Sequence, residues 1–268
     1  MASNRYLQLA FNNSFNEFAS VIGYIPKNDN IIIEAGTPLI KREGIGVIAR
    51  MKMYWPGKIC ADIKIVDGAK AEVEMAAGAG ADYVTALGNS SKETLKIFVD
   101  TCRERQIKSV VDMINTPDPL RSLWKAGITP DVAMIHRGRD EENSFGAIIQ
   151  YKNIAKIKGK WDILVGAAGG IDKKEMQSAI FNGADIVVIN LVKPNEPWAG
   201  LVMDEKMREN IDVLRETTKD LLDMQDLNQK KTMMAQELLQ WKFEVIEKIF
   251  LLKLGMSEEI RKENKNLF

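Results

Sequence analysis

The 268-residue sequence is short of the residues that build most metal and redox centres. It holds one histidine, His136, which excludes a multi-histidine metal site. Its two cysteines, Cys60 and Cys102, give no disulfide framework. Formal net charge is zero, and no basic block supplies the electrostatic footprint that nucleic acid requires. No apolar run is long enough to span a bilayer, and the first residues lack the apolar core of a signal peptide. These absences lead to an expectation of a cytoplasmic protein with no membrane and no nucleic-acid partner. What remains is an ordinary globular composition, in a chain long enough for one large α/β domain or two small ones.

Up to about residue 200, short apolar runs alternate with longer amphipathic segments. Strands are expected at Tyr6–Phe11, Asn30–Glu34, Lys58–Ile63, Asp82–Ala86, Ser109–Met113, Val132–His136, Asp162–Gly166 and Asp185–Asn190. Helices are expected between them, at Ser14–Ile22, Ala69–Ala79, Lys92–Arg105, Pro119–Lys125, Asn143–Ile157 and Lys173–Asn182. Ser91 and Asp172 are readable helix caps. Gly-Ala-Asp recurs at Gly80–Asp82 and Gly183–Asp185, each time between a helix and the next strand, where glycine suits a left-handed cap. Eight such units predict a (β/α)8 TIM barrel, with a doubly wound open sheet as the alternative. From Met234 to Leu252 apolar residues recur at steps of three or four, an added C-terminal amphipathic helix. The expected division is a catalytic barrel over 1–225 and a helical extension over 226–268. That extension either packs on its own barrel or binds another subunit.

Polar residues at strand ends favour the barrel. Glu34, Asp62, Asp112 and His136 each close a different apolar run. In a barrel all four ends face one mouth, where active sites of this fold lie. The stretch Val165–Ile171 reads as a glycine-rich turn after the seventh strand, and backbone amides of such a turn bind anions. Within Ala61–Asp67, alternation puts Asp62 and Lys64 on one strand face and Ile63 on the other. A charged pair facing inward is expensive to bury, so the choice lies between a site and a structural ion pair.

The spacing Asp62-x-Lys64-x-x-Asp67 resembles the signature of the orotidine 5′-monophosphate decarboxylase suprafamily. Glu34–Ile40 and Ala61–Lys64 resemble its 3-hexulose-6-phosphate synthase and 3-keto-L-gulonate-6-phosphate decarboxylase group, over Arg5 to about Gly200. The likeness is strongest to the archaeal synthase. The resemblance implies a Mg²⁺-dependent homodimer with shared active sites, acting on a sugar phosphate through a 1,2-enediolate. The synthase joins formaldehyde to ribulose 5-phosphate. By the same resemblance Glu34 and Asp62 would hold Mg²⁺, Lys64 would add positive charge, Asp67 would enter the partner's site and His136 would move protons. Gly169 and Gly170 would hold the phosphate.

Asp112 and Ala168 look like the synthase, and Arg139 looks like the decarboxylase. Asn12 stands where many relatives carry aspartate, and Asn190-Leu191 where many place a Gly-Arg pair on the phosphate. Lys193, three residues past the eighth strand, is the expected substitute for that arginine. The non-enzyme alternative is a sugar-phosphate-binding or scaffold barrel, which has no need of Glu34, Asp62, Lys64, Asp67, Asp112 and His136 together.

Overall fold

The computed structural model describes residues 5–25, 27–141, 148–171 and 173–191. The expected C-terminal helix, the boundary near 225, the Asp172 cap and Lys193 lie outside these residues. Eight parallel strands close into a barrel in chain order, the last pairing with the first. They are β1 (Tyr6–Phe11), β2 (Ile31–Ala35), β3 (Lys58–Ile65), β4 (Tyr83–Leu87), β5 (Lys108–Asp112), β6 (Val132–His136), β7 (Leu164–Ala168) and β8 (Ile186–Asn190). The helices are α1 (Phe15–Val21), α2 (Thr37–Glu43), α3 (Val47–Lys52), α4 (Ala69–Gly78), α5 (Lys92–Glu104), α6 (Pro119–Ala126), α7 (Lys152–Lys158) and α8 (Lys173–Phe181).

Strand alternation sorts the apolar residues into two cores. Ile32, Cys60, Tyr83, Val110, Val132, Met134, Ala168 and Ile186 fill the barrel interior. Their neighbours along the strands, such as Leu7, Leu9, Ile31, Ile33 and Val111, pack outward against the helices. Strands covered on both faces read as continuous apolar runs, which is why they were visible in the sequence. Helix starts follow local chemistry. Ser14 accepts from the Glu17 amide at 3.1 Å, Ser91 from Thr94 at 3.0 Å, and Asp118 from Arg121 at 3.0 Å ahead of Pro119.

The base of the barrel is stapled by aspartates. Asp82, just before β4, accepts the β3 amide of Ile59 at 2.7 Å. Asp131, before β6, accepts Ser109 of β5 at 2.9 Å, and Asp185, before β8, accepts Val165 of β7 at 2.9 Å. Each also holds a lysine: Lys52 at 2.6 Å, Lys108 at 2.7 Å and Lys158 at 2.7 Å. The repeated Gly-Ala-Asp thus marks a strand-to-strand tie as well as a turn.

Three expectations need correction. Leu164–Ala168 is strand, so the turn after β7 begins at Gly169 rather than Val165. Gly166 belongs in the strand because a Cβ there would lie 2.5 Å from the Met134 sulfur. β3 continues past Ile63 to Ile65, through an irregularity described below. Within the expected Asn143–Ile157 helix, Ile148–Gln150 is not helical, and α7 starts at Lys152. Tyr151 makes no side-chain cap there, and the chain enters through short turns, Asn153 to Gln150 and Ile154 to Tyr151.

Candidate active site

A cavity of about 300 Å³ opens at the C-terminal mouth of the barrel. Its floor is apolar, from Val110, Met134, Ala168 and Val188. Around it stand Glu34, Asp62, Lys64, Asp112 and His136, brought together from four strands. Asn12, Arg139, Gly169, Gly170 and Asn190 complete the upper wall. Asp67 does not line it; this side chain is exposed beyond the end of β3, and Gly68 in a left-handed conformation precedes α4 without a side-chain cap. The alternative role of Asp67 as a helix cap is therefore not realised.

Lys64 is the hub. Its Nζ lies 2.7 Å from Asp112 Oδ2 and 3.0 Å from Asp62 Oδ1. A bulge places it there. Ala61 pairs with Val84 and Ile65 with Ala86, so three residues of β3 face the single Thr85 of β4. Lys64 adopts φ 51°, a region that a residue with a Cβ enters at a cost of about 1–3 kcal/mol. Thr85 stitches the bulge: its Oγ1 accepts the Lys64 amide at 2.9 Å and donates to Asp62 Oδ1 at 2.8 Å. The Thr37 hydroxyl lies 2.8 Å from Asp62 Oδ2 and 2.7 Å from the Asp62 carbonyl.

Asp112 serves two cations. His136 Nδ1 lies 2.9 and 3.0 Å from its carboxylate oxygens. Burial pushes the Asp112 carboxyl up, but His136 and Lys64 outweigh it and the net direction is down. An ionised carboxylate only accepts, so Nδ1 carries the proton and Nε2 is the nitrogen left for exchange. Burial pushes the imidazole down, and Asp112 reverses the direction to up. Burial likewise lowers the Lys64 ammonium, and Asp62 and Asp112 together raise it, so this lysine stays charged. It is an electrostatic group rather than a proton donor. The Cys60 thiol, buried beneath the site, is pushed well up by burial and is no nucleophile.

Glu34 differs. It accepts a hydrogen bond from Gln8, yet burial and then the charge of Asp62 push its carboxyl up to about 7. Asp62 already holds Lys64, Thr85 and Thr37, and the hard oxygens of the two carboxylates are of the kind that suits a Mg²⁺ ion. Among the described residues no three His, Cys, Asp or Glu side chains form a metal cluster. The protein would then supply two ligands and leave the rest to water and substrate, as this ion commonly accepts.

The turn after β7 forms the opposite wall. Gly169 and Gly170 have φ of 100° and 59°, conformations that favour glycine. A Cβ on Gly169 would lie 2.0 Å from the Arg137 carbonyl oxygen. Between the adjacent ends of β1 and β8, Asn12 Nδ2 donates to Asn190 Oδ1 at 2.7 Å. Sequence reading singled out neither Thr37 nor Thr85 nor Gln8. The signal for Gln8 and Thr85 was a polar residue inside an apolar run, at the inward register of its strand.

The fold and these residues can be set beside known proteins. The chain is 37% identical over 186 residues to the bifunctional enzyme Fae/Hps of Methanothrix thermoacetophila, covering 69% of this chain and 47% of that protein. It thus spans about half the length of the curated relatives it matches. It superposes on the crystal structure of 3-hexulose-6-phosphate synthase from Salmonella typhimurium with a TM-score of 0.64 and 29% identity, over 79% of this chain and 99% of that one. A 3-keto-L-gulonate-6-phosphate decarboxylase from Vibrio cholerae matches with a TM-score of 0.61 over 83% and 98%, but at 20% identity, a likeness of fold alone. The model of the Orotidine 5′-phosphate decarboxylase / HUMPS family matches residues 5–190, well over half the sequence, and the chain belongs to that family of enzymes.

Proposed function

We propose that the chain is a 3-hexulose-6-phosphate synthase, a carbon–carbon lyase that reversibly adds formaldehyde to ribulose 5-phosphate. The observation that carries this reading is Lys64 held between Asp62 and Asp112, with His136 on the same Asp112, beside a cavity walled by paired glycines. The 29% identity to a synthase structure, spanning 99% of that protein, supports it.

In the forward direction a proton leaves C1 of the sugar phosphate, giving an enediolate. C1 then bonds to the formaldehyde carbon, and the formaldehyde oxygen takes a proton. His136, through Nε2, is placed for the proton transfers, a role worth about 10²–10⁴-fold in rate. Lys64 keeps its charge and stabilises the developing enediolate without reorganising, because two carboxylates already hold it. Asp112 keeps the imidazole in one tautomer. The Gly169–Gly170 turn, Asn12, Asn190 and Arg139 take the phosphate and hydroxyl groups, and Lys193 adds a point charge. Glu34 and Asp62 would hold Mg²⁺, which would supply Lewis-acid chemistry there. Asp67, exposed and outside the lining of its own cavity, completes the site of a second subunit in a homodimer.

The test is direct. Purified protein with ribulose 5-phosphate, formaldehyde and Mg²⁺ yields hexulose 6-phosphate, and excess chelator stops the reaction. Turnover undiminished by chelation would remove the metal from the mechanism. Arg139 on the cavity wall favours a second reading, decarboxylation of 3-keto-L-gulonate 6-phosphate. Carbon dioxide release from that compound, with no fixation of formaldehyde, would select it.

A further inference from the structure

The structure assigns Arg137 as the positioning residue of the phosphate-binding turn, holding it from behind without touching substrate. This rests on the reading above that the Gly169–Gly170 turn receives the substrate phosphate. Arg137 follows directly on β6, and its amide donates to the Ala168 carbonyl at 3.1 Å, extending the β6–β7 pairing by one residue. Its guanidinium Nη2 then donates to the carbonyl oxygens of Gly169 at 3.0 Å and Gly170 at 3.4 Å. The turn is pressed on the same residue from the side, since Gly169 has no room for a Cβ against the Arg137 backbone.

The consequence follows from the planar trans peptide, in which C=O and N–H point opposite ways. With the carbonyls of Gly169 and Gly170 drawn to the guanidinium, the amides of Gly170 and Ile171 turn away from it. Gly169 and Gly170 line the active-site cavity, whereas Arg137 does not. The cation therefore sits at the negative ends of two peptide dipoles, and both their fixed orientation and the added field favour an anion on the cavity side. Arg137 lines a different cavity, of about 560 Å³, which His136 also borders.

The experiment uses Arg137→Ala and two ligands, ribitol 5-phosphate as an inert phosphorylated probe and ribitol as its unphosphorylated control. Expected are a Kd for ribitol 5-phosphate and a KM for ribulose 5-phosphate each raised about tenfold, the scale of one lost charged hydrogen bond, with kcat within about threefold. Ribitol binding should not change. Guanidinium ion at low millimolar concentration should restore part of the lost affinity, where equal sodium chloride does not. Unchanged ribitol 5-phosphate affinity overturns the assignment, and so does equal weakening of both ligands, which marks general damage. Should the alanine protein fail to fold, Arg137→Lys keeps a shorter cation; it should weaken the phosphorylated ligand selectively, and wild-type affinity would count against the role. A wild-type protein that binds ribitol 5-phosphate but fixes no formaldehyde defeats the synthase reading only, while one that does not bind it defeats this proposal.

Discussion

A single hydroxyl sets the geometry on which the candidate chemistry depends. Thr85 is buried, lines the cavity and satisfies both the Lys64 amide and Asp62 Oδ1. Thr85→Val keeps the shape but orphans a buried amide, at about 1–3 kcal/mol, and frees the bulge to relax. We expect kcat to fall about tenfold to a hundredfold with KM changed far less, and Thr85→Ser to recover most of it; equal kinetics for valine and threonine would show that the bulge holds itself. His136 offers a cleaner observable, because it is the sole histidine and gives one set of imidazole signals. Its protonated form is favoured by Asp112, which places the folded-state value above the ordinary 6.5. The stability this adds is present in full below about pH 6.5 and is lost as pH rises through the folded value. NMR titration should find the midpoint above 6.5 and a lower one in Asp112→Asn. A midpoint at or below 6.5 in the wild type would contradict the pairing.

At the scale of strands and helices, chemistry and closure occupy opposite ends. Asp131→Ala or Asp185→Ala removes a staple and leaves the amide of Ser109 or Val165 without its acceptor. The loss of about 1–3 kcal/mol should lower Tm by about 3–10 °C. Since neither residue approaches the mouth cavity, kcat at 25 °C should stay within about twofold; a large fall in kcat at unchanged Tm would contradict this division. Much of the element order was legible in advance. Doubly covered strands are apolar throughout, and a polar residue at the end of an apolar run stands out, as Asp112 and His136 do. What could not be read depends on register between strands far apart in sequence. The bulge exists only relative to β4, and nothing in Asp62-Ile63-Lys64 announces that three residues will face one. The turn after β7 was placed early because Gly166 looked like a loop residue, when it is small to admit Met134. Arg137 was overlooked because its partners are main-chain oxygens, which carry no side-chain signature.

For the whole molecule the feature to test is Asp67. It is exposed and outside its own cavity, while Lys64, three residues earlier, is at the hub. If two copies share sites, Lys64→Ala and Asp67→Ala are each nearly inactive alone. Mixed dimers would then carry one intact site and one doubly damaged site. Co-refolded in equal amounts, the two variants should regain roughly a quarter of wild-type activity, and mixed dimers with no recovery would place both residues in one chain's site. The aspartates that tie β3 to β4, β5 to β6 and β7 to β8 carry a longer consequence. They divide most of the ring into paired strands, each tied at the rim remote from substrate. Mutational drift can rewrite the upper rim, strand pair by strand pair, while the lower rim goes on dictating how the ring shuts. A lineage built this way can trade one ligand for another and never have to learn again how to fold.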